Sequence, residues 1–123
     1  MKALLDTHVL LWWLSDDRRL TPDHRAIIAD ASNDLLVSAV VVAEISIKAS
    51  LGKLDVPDDL ENVIRSGGFD HLDFSTAHAA ALRDLPWHHR DPFDRMLVAQ
   101  AHVEGIPLLT TDARIRDYRI AVR

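Results

Sequence analysis

The 123-residue chain contains no cysteine, which excludes a disulfide framework and any thiolate metal site. Long apolar runs are missing as well. Lys2 is followed by three apolar residues before Asp6 interrupts them, and Val9–Leu14 adds six more. Both fall far short of the ~20 residues of a membrane span. Neither a signal peptide nor a membrane helix is expected, and the expected location is the cytoplasm. There are no internal repeats, low-complexity tracts or long linkers, so residues 1–123 read as one domain, large enough for a single core. An excess of positive charge is also absent. The net charge of -5 argues against a broad basic face that grips nucleic acid. It leaves room for a nuclease in which a bound divalent cation reverses the local potential. The seven histidines include no H-x-x-x-H pair, so dispersed surface histidine is the reading for most of them.

What is present is an alternation of short apolar runs and amphipathic stretches. Residues 2–6 read as a strand and 7–15 as a short helix. Thr21-Pro22, a cap followed by proline at the first helical position, starts a helix to about Ser32. A strand at 35–37 follows, with Ser38 as cap for a helix over 39–52 closed by Gly52. Pro57-Asp58-Asp59 opens another helix that ends at Gly67-Gly68, and 69–74 alternates as a third strand. Ser75 caps a helix to about Leu85, and Asp91-Pro92 opens the longest helix, which ends at Gly105. A strand at 107–110, a helical turn after Asp112 and an edge strand at 118–122 complete the chain. Strands and helices in alternation predict an α/β fold: a central parallel sheet of four to five strands with helices on both faces.

Four acids stand out against this frame: Asp6, Glu44, Asp94 and Asp112. Asp6 ends the first strand and Asp112 follows the last long one, and in open α/β sheets ligands bind outside the carboxyl ends of the strands. A helix-cap role is an alternative for both. Asp94 begins a buried stripe, with Leu97, Val98 and Ala101 at three, four and seven residues. Capping of the same helix is assigned to Asp91, and metal binding to Asp94. Glu44 lies mid-helix on a largely apolar face with Val40, Val41 and Ile47. A pair with Lys48 at i,i+4 would stabilise by only roughly 0.2–0.5 kcal/mol, and an unpaired glutamate is rarely buried.

Carboxylates gathered at one sheet edge suit Mg²⁺, which takes oxygen ligands and is commonly held by one or two carboxylates plus phosphate. A pair of such ions assists in-line displacement at a phosphodiester. Around this centre, Arg95 is expected to reach phosphate or solvent, and His8 and His89 are expected to be polar packing residues. Adjacent Trp12 and Trp13 cannot both face the core from a regular helix, so one is expected at a partner surface.

The ordered set Leu4-Leu5-Asp6-Thr7-His8, Val42-Ala43-Glu44-Ile45, His89–Ala101 and Leu108-Leu109-Thr110-Thr111-Asp112 resembles PIN-domain (PilT N-terminal) proteins, in particular VapC-like ribonuclease toxins. The likeness runs from residue 1 to about 120. It implies a doubly wound α/β domain that cleaves RNA with Mg²⁺, or with Mn²⁺ in its place, and is held inactive by a cognate antitoxin. It further implies that Asp6, Glu44 and Asp94 hold the principal ion and that Asp112 completes the shell or a second site. The expected assembly is a homodimer or a toxin–antitoxin hetero-oligomer. Two competing readings are an aspartate-based phosphatase or receiver domain, and a non-catalytic PIN-like binding module. The phosphatase pattern wants an Asp where His8 stands, and the receiver pattern wants a late-strand Lys that Thr110-Thr111-Asp112 does not supply.

Overall fold

The computed structural model describes residues 1–123. Strand β1 (Lys2–Leu5) lies between β2 (Asp34–Ser38) and β4 (Leu108–Leu109), and β3 (Asp70–Leu72) pairs with the outer side of β2. All pairings are parallel, in the order β3-β2-β1-β4, with Ala3 against Leu35 and Leu5 against Leu109. Ala3, Leu4 and Leu5 are all fully buried. Because successive strand residues point to opposite faces, both faces of the sheet must be covered.

Six helices provide the cover: α1 (Thr7–Leu14), α2 (Pro22–Ala29), α3 (Ala39–Ser50), α4 (Leu60–Ser66), α5 (Thr76–Ala81) and α6 (Pro92–Glu104). Their starts follow the cap signals in the sequence. Thr21 accepts from the His24 amide, Ser38 from Val40 and Asp91 from Asp94, each satisfying an amide that the helix leaves unbonded. Gly105 closes α6 at φ 65°, a left-handed conformation that glycine adopts without steric cost. No helix is long and apolar enough to cross a membrane.

Several elements are shorter than expected. The helix from Thr21 stops at Ala29, where Asp30 turns the chain by accepting from both the amide and the hydroxyl of Ser32. The helix after Pro57 begins only at Leu60, and the one from Ser75 tightens into a 3₁₀ turn over Leu82–Asp84. The expected edge strand over 118–122 reduces to a single parallel bridge, Leu108 to Val122. The regular sheet therefore has four strands.

Candidate active site

The strand order reverses direction at β1: its successor β2 lies on one side and β4 on the other. Such a switch point leaves a crevice at the carboxyl ends of the strands. Leu5 and Leu109 are in register, so the next residues, Asp6 and Thr110, leave the sheet side by side. Thr110 Oγ1 donates to Asp6 Oδ2, and the amide of Val9 donates to Asp6 Oδ1 at 2.9 Å. Asp6 is thus the N-cap of α1 and a cleft residue at once. Burial pushes its carboxyl above the usual aspartate range, against the opposing pull of these two hydrogen bonds.

Glu44 approaches from the second turn of α3. Thr7 Oγ1 donates to its Oε1 at 2.6 Å, and Lys48 Nζ lies 2.7 Å from its Oε2. The i,i+4 pair with Lys48, weighed as the alternative for Glu44, is therefore formed. The i,i+4 geometry of α3 delivers Lys48, whose half-exposed stem reaches the buried carboxylate from the solvent side.

Asp94 and Asp112 form a second stretch of the cleft wall, and here a histidine joins them. His89 Nε2 lies 2.7 Å from Asp94 Oδ2 and 3.3 Å from Asp112 Oδ2. His89 Nδ1 accepts from the Arg90 amide at 3.0 Å, which assigns the ring proton to Nε2, between the two carboxylates. Burial, then the neighbouring charge of Asp91, pushes Asp94 up to about 6. Burial acts to raise Asp112 too, but hydrogen bonds from the Arg114 side chain and amide outweigh it and hold the carboxyl below its usual range.

All four sequence-expected acids line one cleft of about 740 Å³, together with Asp91 and His89. Arg19, Lys48, Arg90 and Arg114 line the same cleft. The site is therefore not a bare acidic hole. The potential needed to meet a phosphate is partly built into its rim, in a chain whose net charge is -5.

Ligand atoms of His89, Asp94 and Asp112 all lie within 4.8 Å of one another. The carboxylate oxygens of Asp94 and Asp112 suit a hard divalent cation such as Mg²⁺ or Mn²⁺, while His89 Nε2, protonated between them, is not free to ligate it. Asp6 and Glu44 line the same cleft but fall outside this tight group. The four acids expected from strand-end and stripe positions share this cleft. His89 is a buried polar residue, as expected, and its partner is Asp94, which the sequence did not indicate. Of the seven histidines, His8, His88 and His102 are exposed and His71 is partly exposed, while His24, His78 and His89 are buried. His78, for instance, closes a capping box with Ser75. Arg95 reaches neither phosphate nor solvent. It is buried and donates to the carbonyls of Leu85, Pro86 and His89 and to Tyr118 Oη. Trp12 and Trp13 do not divide between core and surface either, since both are half-buried against the core, and Trp12 also lines the cleft.

The sequence matches the PIN domain family over residues 3–121. This chain belongs to the PIN-domain family. It is 30% identical over 124 residues to ribonuclease VapC22 of Mycobacterium tuberculosis, a match that covers 95% of this chain and 92% of the relative. The same PIN fold is found in VapBC2 of Rickettsia felis bound to a promoter DNA fragment. That likeness has a TM-score of 0.70 at 14% identity and covers 100% of this chain and 98% of the other. DNA-bound VapBC of Salmonella typhimurium superposes equally well, with a TM-score of 0.70 at 15% identity and coverage of 100% and 97%. In PIN terms, the cleft described above lies at the switch point of the sheet, beside the paired ends of β1 and β4.

Proposed function

We propose that this chain is a metal-dependent endoribonuclease that acts as the toxin of a toxin–antitoxin pair in the cytoplasm. The observation that carries the reading is the meeting of Asp6, Glu44, Asp94 and Asp112 in one cleft of a PIN-family chain. These four acids would hold Mg²⁺, with Mn²⁺ able to take its place. When bound, such an ion polarises a phosphodiester oxygen and acidifies a water for attack on phosphorus.

The surrounding residues prepare the site. Thr7 and Lys48 fix both oxygens of Glu44, and Thr110 and the Val9 amide fix both of Asp6, so one wall is set before any ligand arrives. His89 holds its Nε2 proton between Asp94 and Asp112 and lessens their repulsion in the ion-free protein. Lys48, Arg90 and Arg114 sit where RNA phosphates flanking the scissile bond would pass. The names of the relatives, VapC22 and VapBC, support both the ribonuclease assignment and an antitoxin partner. Such a partner would place a basic side chain among the acids and apolar residues against α1, in a toxin–antitoxin hetero-oligomer or on a toxin homodimer.

The test is to incubate the purified chain with a panel of messenger, transfer and ribosomal RNA in Mg²⁺, in Mn²⁺ and in EDTA. Cleavage that needs the metal and disappears in Asp94→Asn supports the reading. Cleavage that persists in EDTA removes the metal from it, and no cleavage of any RNA removes the nuclease.

A further inference from the structure

Trp87 is 76% exposed, an unusual place for a tryptophan. It stands in the loop between the 3₁₀ turn and α6, on the rim of the acidic cleft. One face of its ring is taken: the Arg95 guanidinium carbon lies 3.6 Å from the ring centroid. Arg95 is itself buried, and its hydrogen-bond acceptors are three loop carbonyls and Tyr118 Oη, with no carboxylate among them. A buried cation without a counter-ion is costly, and the negative face of the indole offsets part of that cost. By bonding the carbonyls of Leu85, Pro86 and His89, Arg95 also fixes the backbone on both sides of Trp87. The ring is therefore held rigidly by its inner face, while its outer face is open.

Its position gives that face a use. Trp87 is two residues from His89, whose ring meets Asp94, so the two are separated by at most ~7 Å of backbone. A strand with a phosphodiester among the carboxylates would carry its neighbouring base to this rim. The other tryptophan that lines the cleft differs. Trp12 is half-buried, packs on the core and lies under Arg19, 5.4 Å from its ring centroid. We infer that Trp87 is a stacking platform for an unpaired nucleobase next to the phosphodiester in the cleft. The inference rests on the nuclease reading of the same site. It favours a base over a peptide side chain because the flat apolar ring lies on a rim that also carries Arg90, Arg114 and Lys48, as a chain of alternating bases and phosphates requires. A platform open on one side accepts any base, so the contribution is to affinity and positioning more than to sequence choice.

The experiment measures the binding of fluorescein-labelled octameric oligoadenylate by anisotropy to wild type, Trp87→Ala and Trp87→Phe across a salt series, with thermal melting of each. Stacking of one base is worth about 1–3 kcal/mol, so Trp87→Ala is expected to weaken binding roughly 5- to 150-fold. Trp87→Phe should retain most of the affinity. The slope of log affinity against log salt should be the same in all three, because no phosphate contact is removed. Trp87→Ala also uncovers the Arg95 guanidinium and should lower the melting temperature by a few degrees, whereas Trp87→Phe keeps a ring face there, so binding is compared well below each midpoint. Unchanged affinity in Trp87→Ala overturns the inference, as does a loss in Trp87→Phe equal to that in Trp87→Ala. A reduced salt slope overturns it too, by making the residue part of a phosphate contact. If only the affinity for a protein partner falls, Trp87 is a protein contact and the platform is wrong. Metal-dependent cleavage by the wild type alongside any of these results leaves the nuclease reading standing. A wild type that neither binds nor cleaves RNA removes both.

Discussion

The two walls of the cleft are built differently. On the wall of Asp6 and Glu44, each carboxylate oxygen has its own donor: an amide, a threonine hydroxyl or a lysine. Both side chains are almost fully buried, and their partners belong to β-strand ends and helices that the core holds in place. On the wall of Asp94 and Asp112, two partly exposed carboxylates crowd one imidazole, whose proton goes to Asp94 with Asp112 3.3 Å from the same nitrogen, and Asp91 adds a third negative charge beside Asp94. The first wall is finished without a ligand. The second is in electrostatic debt until a cation arrives, and it is the wall that should respond to one.

The largest expected effect comes from the responsive wall. Asp94→Asn keeps the shape of the side chain and removes its charge, so RNA cleavage in Mg²⁺ should fall by at least ~100-fold, more than loss of an outer-shell partner would cost. Single-turnover assays on a cleavable RNA check this, with circular dichroism confirming the fold. If Asp94→Asn cleaves normally while Asp6→Asn does not, the two walls have been assigned the wrong way round.

The finished wall should yield the next largest effect, on stability. Thr110→Val leaves Asp6 Oδ2 buried without its donor, at a cost of about 1–3 kcal/mol in urea unfolding. A smaller cost would mean that Asp6 is wetter than its burial indicates.

The third effect is one of pH. Asp94 titrates near 6 in the folded protein against 3.8 for a free aspartate. A raised folded value means that the folded state holds the proton more tightly. Its contribution is therefore fully present below about 3.8 and is lost as pH rises through about 6. In EDTA, the stability difference between Asp94→Asn and wild type should widen between these values by roughly 1–2 kcal/mol after allowance for solvent screening, with the variant the more stable at pH 7. A difference that is flat with pH would mean that Asp94 is not strained.

The smallest effect separates a cap from a ligand. Asp91→Ala removes the N-cap of α6 and should cost about 0.5–2 kcal/mol. By relieving the repulsion on Asp94, it offsets part of that loss at neutral pH. RNA cleavage should be largely retained, and a collapse of activity would move Asp91 among the ligands.

How much of this was legible in the sequence depends on the range of the interaction. Leu35-Leu36-Val37 and the cap signals Thr21-Pro22 and Asp91-Pro92 are local, and the elements they mark stand where expected. Strand ends are not local. The run 69–74 alternates well, but only Asp70–Leu72 finds partners, on β2. The acids could be placed at strand ends and on a stripe, because both patterns are periodic. His89 could not, since its ring is brought to Asp94 by a loop that Arg95 and Tyr118 hold from 6 and 29 residues away. Arg95 itself has backbone carbonyls as its main acceptors, and these leave no trace in side-chain pattern. Lys48 was visible as a pairing partner of Glu44 but was set aside as too weak. A weak pair on an exposed helix becomes a consequential one when the glutamate is buried.

The bridge from Leu108 to Val122 gives the last few residues a task out of proportion to their number. Ala121 and Arg123 exchange backbone hydrogen bonds with Leu108, and the Arg123 carbonyl accepts from the Thr110 amide and faces His24 Nε2 at 2.7 Å. This short segment is a selvedge: it finishes the outer margin of a two-residue strand that would otherwise offer open amides and carbonyls to any passing chain. Its other neighbour is Thr110, the threonine that holds Asp6. A protease that trimmed residues 121–123 would thus fray the sheet margin and loosen a wall of the cleft in a single cut, coupling self-association to loss of activity. The margin of the sheet and the support of Asp6 would then be undone together.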